Sequence, residues 1–216
     1  VVVSLVRRQV VSLTVFCIRT IINLIAMKGK IININTINRS KRDEIEFIFK
    51  NFNLNLQFLD FEVREILSQD VEQVVRSKAI SAYTKWRIPL VVEHGSLRID
   101  YFNGFPGALS KPMWDLMDGK ICTSIPPGVT RGAEVISCVG FCDGKILKTF
   151  MGITRGEISS EARGSYGFQF DPIFIPRGAA KTYAEMQLED KMKYSQATKS
   201  YNKLIKFLSD YEQNIT

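Results

Sequence analysis

The sequence predicts an α/β domain built on a mixed β-sheet flanked by helices. Three observations carry this: an Ile-rich run at residues 30–35 that passes through a short polar loop into a helical pattern; an apolar run at 88–92 stopped by polar residues; and two alternating runs, 134–141 and 146–151, that meet at an Asp143-Gly144 turn. Helical crossovers and a hairpin in one chain point to a sheet with both pairing senses.

In chain order, Ile31, Ile32 and Ile34 mark the first strand, and Thr36-Ile37-Asn38-Arg39-Ser40 stops it. Ile45, Ile48 and Phe49 share one face of the helix that follows. Ser40 is its expected N-cap, with Asp43 and Glu44 in the first turn, where the helix dipole favours negative charge. Strand, short polar loop and helix start make a phosphate-cradling geometry. Residues 54–59 alternate as a second strand, and Val71, Val74, Val75, Ala79 and Ala82 give a helix over 70–83. The buried strand at 88–92 is expected to end on Glu93-His94-Gly95-Ser96, and the carboxyl end of such a strand is where α/β proteins place their chemistry. After residues 97–102, the turn Gly104-Phe105-Pro106-Gly107-Ala108 feeds a short helix through Leu116. The hairpin continues over 156–159, and a glycine-punctuated loop at 163–172 leads to a last strand at 173–175. One helix over 188–211, with Leu204, Phe207 and Leu208 inward, closes the chain.

Composition narrows the chemistry. With 216 residues, 45% of them hydrophobic and 24% charged, the chain has room for one large domain of ordinary soluble character. Its single histidine, His94, excludes mechanisms that need two, such as His-x-x-x-His zinc sites and two-His iron triads. The cysteines Cys17, Cys122, Cys138 and Cys142 have no Cys-x-x-Cys spacing and are expected to be reduced, partly buried thiols. Residues 1–26 carry Arg7, Arg8 and Arg19 and no acid, so they are expected to lie outside the fold, either as translated sequence upstream of Met27 or as a transit peptide. Residues 27–216 are then a single domain. The arginines also interrupt any apolar run long enough to span a membrane. Without this segment the net charge of +7 falls to +4, from 26 basic and 22 acidic residues, and with no aromatic-basic RNA motif present a nucleic acid partner is not expected. A cytoplasmic location is expected, or an organellar one if residues 1–26 target the chain.

Thr36-x-Asn38-x-x-Lys41, Glu65 after the second strand, Lys78 in the second helix, Glu93, Gly104-Phe105-Pro106-Gly107 with Lys111, Phe168-x-x-Asp171-Pro172, Thr182-Tyr183-Ala184-Glu185-Met186, Lys191 and Ser195 occur in an order and spacing that resemble the inosine triphosphate pyrophosphatase family. The likeness spans about residues 30–208. It implies a mixed sheet with a cleft between two lobes, a homodimer, and hydrolysis of non-canonical purine nucleoside triphosphates to monophosphate and pyrophosphate. It also implies site roles. Glu65 and Glu93 would hold magnesium (Mg2+), with manganese (Mn2+) as an alternative. Glu93, His94 and Lys78 would be catalytic. Thr36, Asn38, Lys41, Lys78, Gly95, Ser96, Lys111, Phe168, Gln169, Phe170, Asp171, Lys191, Ser195 and Gln196 would bind the nucleotide. The physics agrees, since a triphosphate carries about four negative charges, which Lys41, Lys78, Lys111 and Lys191 match if they converge.

Three departures from the family pattern fall on this site. His94 stands where the family has an aspartate, Gln169 where it has a glycine between two aromatics, and Gln196-Ala197 where it has the His-Arg pair that reads the purine 6-keto group. His94 has three readings: a general base, a metal ligand for an ion softer than magnesium, or a histidine with no catalytic part. The altered pair predicts changed base selection, because Gln196 can donate and accept while Ala197 offers nothing polar. An enzyme with altered base choice and a nucleotide-binding protein without turnover are both compatible with this pattern.

Overall fold

The structure is a computed structural model that describes residues 29–52 and 54–213; the expected boundary at residues 26 and 27, and Cys17, lie outside them. The chain opens with strand β1 (Ile31–Asn35), helix α1 (Arg39–Phe49), strand β2 (Asn55–Leu59) and helix α2 (Val71–Trp86). Strand β3 (Leu90–Ile99), a 3-10 turn at Asp100–Phe102 and the short β4 (Pro106–Gly107), which follows a cis Phe105-Pro106 bond, come next. Helices α3 (Ser110–Met117) and α4 (Lys120–Thr123) precede the long hairpin of β5 (Gly132–Cys142) and β6 (Leu147–Ile158). Strand β7 (Phe174–Pro176) and a 3-10 turn at Tyr183–Glu185 lead to α5 (Leu188–Tyr194) and α6 (Gln196–Gln213).

These strands form one mixed sheet in the order β2-β1-β3-β5-β6-β7, with β4 beside β3. The two helical crossovers make β1 parallel to β2 and β3, and the remaining pairs are antiparallel. Period-2 alternation sends Val91 to one face and Leu90 and Val92 to the other. On the first face, Ile45 and Phe49 of α1 and Tyr201 and Leu204 of α6 pack over Ile34, Val91 and Val139. On the second, Val71, Val74 and Val75 of α2 pack over Leu90, Val92 and Cys138. The far ends of β3, β5 and β6 carry Leu97, Ile99, Val135 and Ile158 into a third core with Ile121, Phe174 and Tyr183. The long strands thus belong to two lobes, and the cleft opens between them.

Three expectations are corrected. The N-cap of α1 is Asn38 rather than Ser40, its side chain accepting from Lys41 N. The buried strand does not stop at Glu93: β3 continues to Ile99 because β5 pairs with it along its whole length, from Leu90↔Cys142 to Ile99↔Ala133. The closing helix is two helices, broken at Ser195. The start of α6 lies tight on β6, where a Cβ on Gly152 would come within 2.0 Å of Gln196 O, so only glycine admits this packing. Cys122, Cys138 and Cys142 are free and buried, and burial pushes the Cys138 thiol up to about 12. Among the described residues no helix is long and apolar enough to cross a membrane.

Candidate active site

The cleft begins where β1 ends. Asn35 is buried there, and its amide ties the end of β1 to the loop after β2: Nδ2 donates to Phe61 O at 2.9 Å, while Oδ1 accepts from Phe61 N at 3.2 Å and from Trp86 Nε1 at 3.1 Å. The wall bearing Glu65 is held by this clamp. On the other side the backbone turns into α1. Thr36 Oγ1 accepts from Asn38 N at 3.3 Å, Asn38 Oδ1 from Lys41 N at 3.1 Å, and the Arg42 guanidinium grips Thr36 O at 3.1 and 2.7 Å. The first turn of a helix leaves N–H groups without intrahelical partners, and here that turn stands at the cleft with Thr36, Asn38 and Lys41.

Next to it, β3 has a gap along one edge. β1 pairs with β3 only at Val91, and β4 only at Leu97 and Arg98, so residues 92–96 are uncovered on that side. Glu93 and His94 sit in the gap and, as neighbours on a strand, point to opposite faces. Glu93 is paired with Lys41 on one oxygen and accepts from Ser137 Oγ at 3.0 Å on the other. Ser137 is in turn 2.8 Å from Ser200 Oγ on α6. Burial pushes the Glu93 pKa up, but Lys41 and Ser137 outweigh it and hold the carboxyl below its ordinary value.

On the opposite face, Lys78 donates to Glu65 Oε1 at 2.6 Å, and His94 Nδ1 approaches the same oxygen at 3.4 Å. His94 Nε2 lies 2.9 Å from Ala108 O. A carbonyl oxygen only accepts, so Nε2 carries a proton, and Nδ1 is the one ring nitrogen that can take another. Burial raises the Glu65 pKa, yet the His94 hydrogen bond and the Lys78 charge hold it well below the usual carboxylate range. At the third side, Ser110 Oγ donates to Gly95 O at 3.3 Å, and Lys111 is paired with Asp115 at 2.5 Å.

These groups surround a cleft of about 530 Å³. A recess of about 20 Å³ shares Lys41, Glu93, Gly95 and Gln169 with it, and is closed by Phe168, Phe170, Gln196, Ala197 and Tyr201. Gln169 has a φ of 51°, the left-handed conformation that glycine adopts without strain, which is why a glycine suits this place in the loop. Behind the recess, Lys191 donates to Glu44 Oε1 and to Asp171 Oδ2, both at 2.6 Å, with the Phe168 and Tyr183 rings 5.1 and 5.3 Å from its ammonium. Burial pushes Glu44 and Asp171 upward, because two carboxylates share one ammonium; burial also opposes the Lys191 charge, and the two carboxylates overcome it and hold that ammonium above its ordinary pKa.

The structure therefore gathers Thr36, Asn38, Lys41, Glu65, Lys78, Glu93, His94, Gly95, Lys111 and Gln169 around the cleft, and Phe168, Phe170 and Gln196 around the recess. Ser96, Asp171, Lys191 and Ser195 line neither and are buried. Three of the four candidate lysines face the cleft, while Lys191 holds Asp171 and its loop against α1. Ser195 accepts from Ala197 N at 3.0 Å and so caps α6. Sequence reasoning missed Asn35, Glu44 and Ser137. Only Ser137 left a trace, as a hydroxyl inside the apolar run Val135-Ile136-Ser137-Cys138-Val139.

Residues 32–207 match the profile of the Ham1 family. The chain is similar to the dITP/XTP pyrophosphatase of Saccharolobus solfataricus, 40% identical over 187 residues that cover 86% of this chain and 97% of that one. It is likewise similar to the dITP/XTP pyrophosphatase of Methanopyrus kandleri, 35% identical over 182 residues, covering 83% and 95%. Among solved structures, the Ham1 protein of Staphylococcus aureus shares the fold with a TM-score of 0.71 at 24% identity, covering 85% of this chain and all of that one. A HAM1 protein from Coxiella burnetii does so with a TM-score of 0.70 at 22% identity, covering 84% and 99%. On both the match over most of its length and the shared architecture, this chain belongs to the Ham1 family.

Proposed function

We propose that the chain is a nucleoside triphosphate pyrophosphatase that hydrolyses non-canonical purine nucleotides to monophosphate and pyrophosphate. The observation that carries it is the meeting, around one cleft, of a helix start bearing Thr36, Asn38 and Lys41 with Lys78, Lys111, Glu65 and Glu93. Lysine and helix-start N–H groups at that position neutralise phosphate oxygens, and such positioning with charge neutralisation accounts for most of the catalysis of phosphoryl transfer. Lys41 and Lys78 are each paired with a carboxylate, from which each can turn to a phosphate oxygen. Water adds to the α-phosphorus, the bond to the bridging oxygen breaks, and pyrophosphate leaves.

Glu65 and Glu93 offer the oxygen donors that magnesium takes, one or two carboxylates completed by phosphate oxygens and water. Among the described residues no cluster of three His, Cys, Asp or Glu forms a full protein cage, so the donor set suits an ion that arrives with the nucleotide. When bound, the ion supplies charge neutralisation and activates the attacking water. Pyrophosphate release from inosine, xanthosine, deoxyuridine and canonical triphosphates, with magnesium and then manganese, tests the proposal. Release above a Glu93→Ala control is expected for the 6-keto purines; none with any nucleotide overturns it. A homodimer goes with this reading, on the family resemblance, and sedimentation tests it.

One observation favours a second reading, nucleotide binding without turnover. His94 Nε2 is committed to Ala108 O, and Nδ1, the one ring nitrogen that can take a proton, is directed at Glu65 Oε1 at 3.4 Å. Nucleotide binding by calorimetry with no release, and release in His94→Asp, is the outcome expected of it. Turnover by the unaltered protein rejects it.

A further inference from the structure

Two buried hydroxyls lead through an apolar layer to Glu93. Ser137 of β5 and Ser200 of α6 are 1 and 0% exposed, with Val135 and Val139 on either side of the first and Tyr201 and Leu204 beside the second, all of them buried. A buried hydroxyl costs stability unless it is hydrogen-bonded, and serine disfavours a helix interior, so packing alone would choose neither residue. The helix comes close enough only because β6 has Gly152 beneath it, where a Cβ would lie 2.7 Å from Ser200 N.

The acceptors set the direction of the protons. Ionised Glu93 only accepts, so Ser137 gives its single hydroxyl proton to Glu93 Oε1, at 3.0 Å. The contact of 2.8 Å between the two hydroxyls then requires Ser200 as donor, its proton shared with Ala197 O at 3.0 Å. Ser200 to Ser137 to Glu93 is thus a chain of donors aimed at one carboxylate oxygen, and bonds in such a chain strengthen one another. The other oxygen, Oε2, is the one paired with Lys41. When Lys41 turns to a phosphate, Oε2 faces the cleft while Oε1 stays with Ser137. A carboxylate held in this way offers a cation one oxygen. Magnesium takes single oxygens in a strict octahedron, whereas the larger and more flexible shell of calcium also takes both oxygens of one carboxylate.

We propose that Ser137 is a positioning residue which, with Ser200 behind it, confines Glu93 to one oxygen toward the cleft and so favours magnesium over calcium. The proposal rests on the nucleotide pyrophosphatase reading and adds to it the hydroxyls that set how Glu93 meets the ion. Hydrogen-bond partners of ligating carboxylates commonly change metal affinity or activity by about 10–100-fold when removed.

Ser137→Ala and Ser200→Ala each remove one hydroxyl and leave Lys41 on Glu93, so both are expected to fold. Wild type, the two variants and the double variant are compared by calorimetry with α,β-methylene inosine triphosphate in magnesium and in calcium, and by pyrophosphate release from inosine triphosphate in magnesium. In Ser137→Ala, nucleotide affinity in calcium relative to that in magnesium is expected to rise about tenfold, and kcat in magnesium to fall about tenfold with KM unchanged. Ser200→Ala is expected to shift both in the same direction by less, and to add nothing in the double variant, because it acts through Ser137. A merely structural role would lower Tm and leave the ion ratio where it is. In a protein that binds without turnover the ion ratio alone decides. An unchanged ratio, or a Ser200→Ala effect that persists without Ser137, overturns the proposal and leaves the pyrophosphatase reading intact. A wild type that neither binds nor cleaves these nucleotides with either ion overturns both.

Discussion

In the cleft Glu93 and Glu65 each have their own lysine, Lys41 and Lys78, whereas behind the recess the single Lys191 serves both Glu44 and Asp171. The residue types are the same, but their surroundings differ. Side chains of the first set are between 10 and 38% exposed, and those of the second no more than 9%. Partners in the cleft hold Glu65 and Glu93 below their ordinary pKa; burial and a shared cation hold Glu44 and Asp171 above theirs. A solvated one-to-one pair can exchange its partner for a phosphate or a metal ion at small cost. A buried triad cannot, and its role is to fasten the loop of Phe168 and Asp171 to α1.

The contrast is broken most directly by Lys191→Met. Two buried carboxylates lose their cation, so unfolding in urea is expected to show a loss of about 3–5 kcal/mol. A loss below about 1 kcal/mol would mean that the triad does not fasten the loop. Glu93→Gln tests the other side: pyrophosphate release is expected to fall on the order of 10²–10³-fold, with a smaller stability loss than for Lys191→Met. The reverse ranking would assign the two clusters wrongly.

A smaller effect sharpens the comparison through pH. Glu65 has a lowered folded pKa, so its contribution is present above the unfolded value of about 4.3 and is lost as pH falls through the folded one. Wild type should therefore lose stability relative to Glu65→Gln only below about pH 4.3. Glu44 has a raised folded pKa, so the folded state binds the extra proton and its stability falls as pH rises from about 4.3 through the raised value. Glu44→Gln should gain on wild type over that interval. Denaturation at a series of pH values reads both slopes, and slopes of equal sign would contradict the assignment.

Most strands were legible because the chain alternates cleanly. Ile31, Ile32 and Ile34 and the Asp143-Gly144 hairpin are local signals, and local signals survive folding. The helix cap was misread at Ser40 because Asn38, two residues earlier, offers the same chemistry, and which one caps depends on where β1 releases the chain. β3 was cut short at Glu93 because a charged residue within a strand reads as its end. The pairing partner β5 overrides this, and the edge gap lets Glu93 keep its polar contacts inside the strand. Lys191 looked like a fourth phosphate lysine. Its distance from Glu44, 147 residues along the chain, hid the partner that buries it.

The sequence by itself determined the α/β alternation, the helix start that gathers Thr36, Asn38 and Lys41, and the presence of one histidine at the centre of a motif, since each depends on residues within a turn or a strand of one another. Tertiary structure alone decided which lysines face the cleft, which nitrogen of His94 is occupied, and that Tyr201 ends unpartnered in a recess. Those outcomes depend on groups brought together from distant elements, where packing leaves most polar atoms of the described residues satisfied and a few, the Tyr201 hydroxyl among them, without a partner.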